Sequence, residues 1–175
     1  MTSRLIPQPL TPADFAPYGT MLGKGLAHAP TEAAFSNAAT DFWREHLFET
    51  GAGGDTEVLW VNYRIQDPHI AALEQHLLTQ QALVPLTGEI IHVVAASTAQ
   101  GGPDLTTLKA FIIKPGQGVC MQPGCWHSSR VRRGQVSCLM LTRRSTTLDL
   151  VAHMRDGNVA TESEIQPIDA VSLDL

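Results

Sequence analysis

The sequence has little of what would indicate a secreted, membrane-bound or disulfide-stabilised protein. Its three cysteines, Cys120, Cys125 and Cys138, form neither an even set nor a CxxC pair, so we predict reduced thiols in a reducing compartment. No run approaches the roughly 20 apolar residues that a membrane span needs. The N-terminus has no apolar signal region, because prolines interrupt it. We therefore expect a cytoplasmic protein with no membrane partner.

Basic residues are also scarce. The chain has 12 Lys and Arg against 17 Asp and Glu, which gives a net charge of −5. A nucleic-acid partner would need a basic surface, so none is expected. Arg130, Arg132 and Arg133 lie close together but without interleaved aromatic residues. We interpret these three arginines as an outer strand face or a subunit contact.

The composition is that of a globular protein, with 43% apolar and 17% charged residues. A length of 175 residues fits one domain over residues 1–175. Residues 156–175 contain five acidic residues and no Lys or Arg. We expect this last segment to form an acidic C-terminal arm in solvent.

Short β-type segments separated by turns make up most of the chain. Residues 56–65 alternate, with Tyr63 on one face and Arg64 on the other. Residues 82–86 and 90–96 are rich in β-formers and joined by Thr87-Gly88, which predicts a hairpin. A last strand is predicted over residues 148–153. This pattern predicts an all-β barrel or jelly roll with a few short helices, wide enough to hold one small ligand.

Residues 67–81 fit two structures. The spacing of Ile70, Leu73 and Leu77 suits a helix that starts at Asp67. A strand that begins near Leu73 fits equally well. The choice matters for any site, because a helix points residues 74 and 76 in different directions, whereas a strand places both on one face.

A loop bounded by proline and glycine, residues 123–127, is the strongest candidate for a functional segment, because it carries His127 at the end of a strand and turn series. Its Gly-Cys-Trp-His end resembles the second motif of the cupin superfamily, Gly-x-x-His after a proline-containing turn. The first cupin motif is matched in spacing by Glu74-Gln75-His76, Gln81 and Gly88.

The four positions that bind metal in a metal cupin hold Glu74, His76, Gln81 and His127 here. Two imidazoles and a carboxylate suit a borderline metal, but an amide is a weak donor. We therefore expect no cofactor. The alternative is a divalent metal such as Ni or Zn bound by His76, His127 and Glu74.

A longer stretch, from about residue 63 to residue 142, resembles the ureidoglycolate lyase family of cupins. The order and spacing of several segments carry the resemblance: Asn62-Tyr63-Arg64-Ile65-Gln66-Asp67-Pro68, Leu73-Glu74-Gln75-His76, Gln81-Ala82-Leu83-Val84-Pro85-Leu86, Pro103-Asp104-Leu105, Lys109-Ala110-Phe111, Gly118-Val119 and Trp126-His127. The resemblance implies a single-domain cupin barrel, a homodimer, and cleavage of ureidoglycolate to glyoxylate and urea in allantoin breakdown.

Such a cleavage assigns roles to the candidate residues. Ureidoglycolate carries a carboxylate, a hydroxyl and a urea group on one carbon, so a base must take the hydroxyl proton and an acid must protonate the departing nitrogen. His127 and His76 are the candidates for both roles, because imidazole titrates near neutral pH. Glu74 is expected either to orient an imidazole or to carry the second proton.

The remaining substrate groups need polar partners. Arg64 is the first candidate for the carboxylate, because a guanidinium forks onto two oxygens, and Lys109 is the second. Gln81 is the candidate for binding the urea group through its amide. The other histidines have no partner spacing and are interpreted as structural or solvated: His28, His46, His69, His92 and His153.

Two other functions remain open from the sequence. One is a non-catalytic cupin that binds a small carboxylate as a sensor or storage protein. The other is a metal-dependent cupin isomerase or dioxygenase.

Overall fold

The computed structural model describes residues 3–175, which fold mainly into β-strands. Within these residues, no helix combines the length and apolar character needed to cross a membrane. In chain order the strands are β1 (Ser3–Leu5), β2 (Gln8–Pro9), β3 (Gly19–Leu22), β4 (Ala34–Ser36), β5 (Asp41–Trp43), β6 (Thr56–Arg64), β7 (His69–His76), β8 (Gln81–Pro85), β9 (Ile90–Ser97), β10 (Pro103–Ile113), β11 (Gly118–Met121), β12 (Trp126–Arg130), β13 (Gln135–Arg143) and β14 (Ser163–Leu173). The helices are α1 (Pro12–Phe15), α2 (Arg144–Asp156) and the 3-10 turns Leu26–His28 and Thr31–Ala33.

Two sheets enclose the main core. One has seven strands in the order β1-β14-β7-β12-β9-β10-β2, and the other has five in the order β3-β11-β8-β13-β6. The largest buried cluster takes side chains from both, including Val94 and Phe111 of the first and Leu83, Met121 and Met140 of the second. Because the inner faces of the two sheets share one core, the structure is a jelly-roll barrel. The predicted all-β, cupin-type fold is confirmed.

Strand β6 agrees with the alternation predicted for it, and the short helix α1 has a hydroxyl cap. Exposed and partly buried residues alternate along β6, with Tyr63 inward and Arg64 outward. The Thr11 hydroxyl caps α1 by accepting from the backbone N–H of Asp14 at 3.1 Å. The helix directs Phe15 into the core, where its ring meets the ring of Phe111 edge-on at 5.5 Å.

The predicted hairpin over residues 82–96 is wrong. Strand β8 pairs with β11 and β13, whereas β9 pairs with β10 and β12 in the other sheet. The Thr87-Gly88 turn therefore carries the chain across the barrel. Turn composition predicts that the chain reverses direction, but it does not predict which sheet the next strand joins. The sequence pattern therefore could not distinguish a hairpin within one sheet from a crossing between the two sheets.

The C-terminal fifth of the chain also differs from the predictions. Residues 148–153 lie in α2, not in a strand, and this helix ends at Gly157 in the left-handed region with φ 71°. The expected solvated arm is mostly strand β14, which runs antiparallel to β7. The acidic residues of β14 lie at exposed positions, whereas Ser163, Val171 and Leu173 are buried. Because the acids face solvent, their composition predicted a solvated arm instead of a strand.

Candidate active site

Strand geometry brings the candidate residues together. Residues 69–76 form β7, which settles the choice between helix and strand and places Glu74 and His76 on one face. Across the sheet, His127 of β12 is directly opposite Glu74 in register. His76 and His127 are 4% and 5% exposed, so both imidazoles lie inside the barrel.

The cluster is compact. Glu74 Oε1 lies 3.3 Å from His127 Nε2, and the rings of His76 and His127 have centroids 5.2 Å apart. Gln81 Nε2 is 2.8 Å from His76 Nε2. The structure thus joins four of the six predicted site residues in one polar group within the barrel.

The hydrogen bonds of His127 define its tautomer. Its Nδ1 lies 3.0 Å from the carbonyl oxygen of Cys125. A carbonyl only accepts, so Nδ1 carries the hydrogen and the neutral ring has its lone pair on Nε2. Nε2 is buried and, among the described residues, has no hydrogen-bond partner. A neutral Nε2 and a carboxylate are both acceptors, so Nε2 bonds to Glu74 only after it takes up a proton.

Both nitrogens of His76 are occupied. Nδ1 lies 3.0 Å from the Ser163 hydroxyl, and Nε2 contacts the amide of Gln81. Burial, together with the nearby His127, lowers the pKa of His76 to about 4. His76 is therefore neutral at pH 7.

The charge of Glu74 is coupled to that of His127. Burial alone would raise the pKa of Glu74, but the hydrogen bond and positive charge of a protonated His127 lower it to about 2. Glu74 is therefore the counter-ion of His127 once that imidazole holds a proton.

His92, interpreted from the sequence as structural or solvated, lies next to His127 but does not line the cleft. It is fully buried, and its ring centroid is 5.8 Å from that of His127. Nε2 lies 3.1 Å from Met121 Sδ and Nδ1 lies 2.9 Å from Ser129 Oγ. A thioether only accepts, so His92 donates from Nε2 and accepts from Ser129. Burial lowers its pKa to about 3.

A cleft of about 470 Å³ reaches the cluster, a volume in the range of small-molecule sites. It opens where β7 and β12 separate, since their register in the described chain is the single pair Glu74 and His127. The lining includes Tyr63, Glu74, His127, Ser129, Arg130 and Met154. Burial raises the pKa of Tyr63 to about 12, against the effect of a hydrogen bond to Ser129, so this phenol stays protonated.

Arg64 and Lys109 do not line this cleft. Arg64 is exposed on the outer face of β6, and Lys109 forms an ion pair with Asp14 at 3.4 Å. Tyr63 and Arg130 were not among the predicted site residues. The inward position of Tyr63 in the β6 alternation was the signal that could have identified it.

The two buried histidines should make the protein sensitive to mild acid. Burial lowers their pKa values from the ordinary 6.5 of histidine to about 4 for His76 and about 3 for His92. As the pH falls below 6.5, the unfolded chain binds protons that the folded chain cannot, so the free energy of unfolding decreases. Down to about pH 4, each histidine contributes about 1.4 kcal/mol per pH unit at most.

Urea unfolding between pH 7.5 and pH 4.5 measures this loss. His92→Gln should reduce the pH slope by roughly half of the combined contribution, whereas His28→Gln, at an exposed position, should leave it unchanged. An unaltered slope in the His92 variant would contradict the assignment of His92 as a buried neutral base.

The fold and the site define the class of protein. It is a β-barrel enzyme that acts on a small molecule, with an acid–base cluster at the floor of its cleft. The family model for ureidoglycolate lyase matches residues 2–162, and the chain belongs to that family. It is 28% identical over 146 residues to the ureidoglycolate lyase of Chelativorans sp. (strain BNC1), covering 81% of this chain and 85% of that protein. It is 33% identical over 126 residues to the ureidoglycolate lyase of Rhodobacter capsulatus, covering 71% and 76%.

Among solved structures, the chain is similar to a dTDP sugar isomerase from Desulfovibrio desulfuricans G20. The TM-score is 0.45 at 11% sequence identity, and the match covers 78% of this chain and 80% of the isomerase.

Proposed function

We propose that this protein is a ureidoglycolate lyase that cleaves ureidoglycolate into glyoxylate and urea, a step of allantoin and purine degradation. One observation carries the proposal beyond family membership. The cleft ends at a buried imidazole nitrogen, His127 Nε2, that has no hydrogen-bond partner among the described residues and that lies 3.3 Å from the carboxyl group of Glu74. Such a nitrogen can accept a proton and hold it opposite a negative charge.

The proposed reaction moves one proton. His127 Nε2 takes the hydroxyl proton of ureidoglycolate, and the oxygen's electron pair forms the carbonyl of glyoxylate as the C–N bond breaks. The electrons of that bond go to the urea nitrogen, which takes the proton back from the imidazolium. Glu74 stabilises the transient imidazolium at 3.3 Å, so one imidazole serves as both base and acid.

His76 and Gln81 have supporting roles in this proposal. Both nitrogens of His76 are already hydrogen-bonded, so His76 is the weaker candidate for carrying the proton. A Gln81 amide that donates to His76 retains a carbonyl oxygen, which we assign to an N–H of the urea group. Each of the two side chains then shapes the polar wall of the site.

The cluster also suits a divalent ion by residue type and spacing. One ligand atom from each of Glu74, His76 and His127 lies within 4.8 Å of the other two. An ion such as Ni²⁺ or Zn²⁺ held by these residues would act as a Lewis acid on a substrate oxygen. His76 would first have to release Gln81. We therefore propose that turnover needs no cofactor.

The test is an assay of purified protein with ureidoglycolate that measures glyoxylate and urea separately, with and without a chelator. We expect equal amounts of the two products, formed faster than in the spontaneous reaction and unaffected by the chelator. Turnover no faster than the spontaneous rate would contradict the proposal. Ammonia in place of urea would contradict the lyase reaction, and loss of activity to the chelator would contradict the metal-free mechanism.

We further propose that the protein is a cytoplasmic homodimer. Three unpaired, buried cysteines are compatible with a reducing compartment. Val58 and Trp60 are 62% and 70% exposed on β6, which is the last strand of its sheet. An apolar surface at an open sheet edge supports contact with a second copy.

A further inference from the structure

Arg130 is the residue of the cleft whose chemistry the proposed reaction leaves unused. It is the last residue of β12, and its side chain lies at the gap between β12 and β7. Among the described residues that line the cleft, it alone carries a permanent positive charge. The sequence pattern assigned Arg130 to an outer strand face or a subunit contact, whereas the structure places it in the cleft that Glu74 and His127 also line.

The guanidinium is held rigidly from both sides of the gap. On the β12 side, Nη1 donates to Ser128 Oγ at 3.0 Å and to the carbonyl of Ser129 at 2.9 Å. On the β7 side, Nε donates to the carbonyl of Asp67 at 3.0 Å, and Nη2 donates to that of His69 at 3.2 Å. These bonds fix the position of the group and use four of its five N–H donors, which leaves one on Nη2.

All four acceptors are neutral, so hydrogen bonding does not cancel the charge. In the part of the chain that the structure describes, Arg130 belongs to no ion pair within 4 Å. The acid that acts on it electrostatically is Asp67. However, the Asp67 carboxylate accepts from the backbone N–H of His69 at 2.7 Å and lies 2.6 Å from His69 Nδ1. Arg130 therefore presents an unmatched charge and a free donor, the combination that binds a carboxylate.

The charges of the remaining cleft favour the same placement. Glu74 is the acidic residue among those that line the cleft, and two carboxylates placed close together repel each other. A cation that lies away from Glu74 therefore favours one orientation of a substrate with a single carboxylate. Arg64 and Lys109, the cations expected from the sequence, lie outside the cleft.

We propose that Arg130 binds the substrate carboxylate and so orients the reacting carbon toward His127. This assignment rests on the proposed lyase function for the identity of the substrate. The chemical class it predicts, a small α-substituted carboxylate such as glyoxylate, can be tested without turnover.

The experiment compares Arg130→Gln, Arg130→Lys and the control Arg132→Gln, whose arginine forms an exposed ion pair with Glu89 at 2.7 Å. Glyoxylate binding is measured by calorimetry, and kcat and KM are measured with ureidoglycolate. Arg130→Gln should weaken glyoxylate binding and raise KM by roughly 10- to 100-fold, the range for losing a hydrogen bond to a charged group, with a smaller change in kcat. Arg130→Lys should lose less, because it keeps the charge, and Arg132→Gln should match the wild type.

Two results would overturn the assignment: glyoxylate binding and KM unchanged in Arg130→Gln, or equal losses in both Arg130 variants. The second result would identify Arg130 as a structural brace between β7 and β12. Failure of the proposed function gives a different result. If the wild type binds glyoxylate through Arg130 but does not cleave ureidoglycolate, the carboxylate site is supported and the lyase function is contradicted.

Discussion

The variant His127→Asn is expected to lower kcat/KM for ureidoglycolate by roughly 10²- to 10⁴-fold, the contribution of one positioned acid–base group. The asparagine amide nitrogen comes close to the position of Nδ1 and can still donate to the carbonyl of Cys125, which His127 contacts at 3.0 Å. The loop should therefore keep its conformation. The variant lacks only the outer part of the ring, which carries Nε2. The decrease in kcat/KM therefore measures the contribution of Nε2.

The control for this variant is His28→Asn, which changes an exposed histidine and should leave kcat/KM unchanged. Circular dichroism and the urea midpoint verify that His127→Asn is folded. A folded variant with activity within a few-fold of the wild type would show that another group carries the proton, and His76 would then be the next candidate.

The sequence predicted the elements of this site better than it predicted their assembly. The alternation in residues 56–65 gave β6 and its inward face, and the loop at residues 123–127 identified His127. A strand that begins near Leu73 was one of two alternatives. The observed strand starts earlier, at His69, and brings Glu74 and His76 to one side. In each case the information is local, because side-chain periodicity follows from the backbone of one segment.

What could not be predicted depends on pairing between distant segments. Ser129 and His92 are opposite each other in neighbouring strands, and neither has a motif spacing that relates it to the other. Arg130 contributes to the site because β7 and β12 separate next to it, which is a property of two strands and not of either sequence. The failed hairpin between β8 and β9 has the same cause, since the turn does not specify the partner strand.

Helix α2 shows a second limit. Its residues include several β-formers, and local composition suited a strand over residues 148–153. The helix forms where the chain packs against β13 and β14, and the Glu162 carboxylate accepts from the hydroxyls of Ser145 and Thr146 in its first turn. These tertiary contacts outweigh local propensity, which is a weak determinant over a single short segment.

The second large effect is expected at Glu74. Glu74→Gln should lower kcat/KM by roughly 10²-fold, because the imidazolium formed on His127 loses the carboxylate that lies 3.3 Å from Nε2. Two unit charges about 4 Å apart attract by about 4 kcal/mol at an effective dielectric constant near 20, so even part of this attraction accounts for the loss. The introduced amide can also donate to the Nε2 lone pair, which would occupy the base before substrate binds.

The conservative variant Glu74→Asp separates this electrostatic role from a loss of structure. An aspartate keeps the negative charge opposite His127 on a shorter side chain, so Glu74→Asp should retain more activity than Glu74→Gln. Glu89→Gln, which removes a partner of Arg132, should leave kcat/KM unchanged. Equal losses in folded Glu74→Asp and folded Glu74→Gln would show that Glu74 does not act through its charge on His127, and the single-imidazole mechanism would then lack its counter-ion.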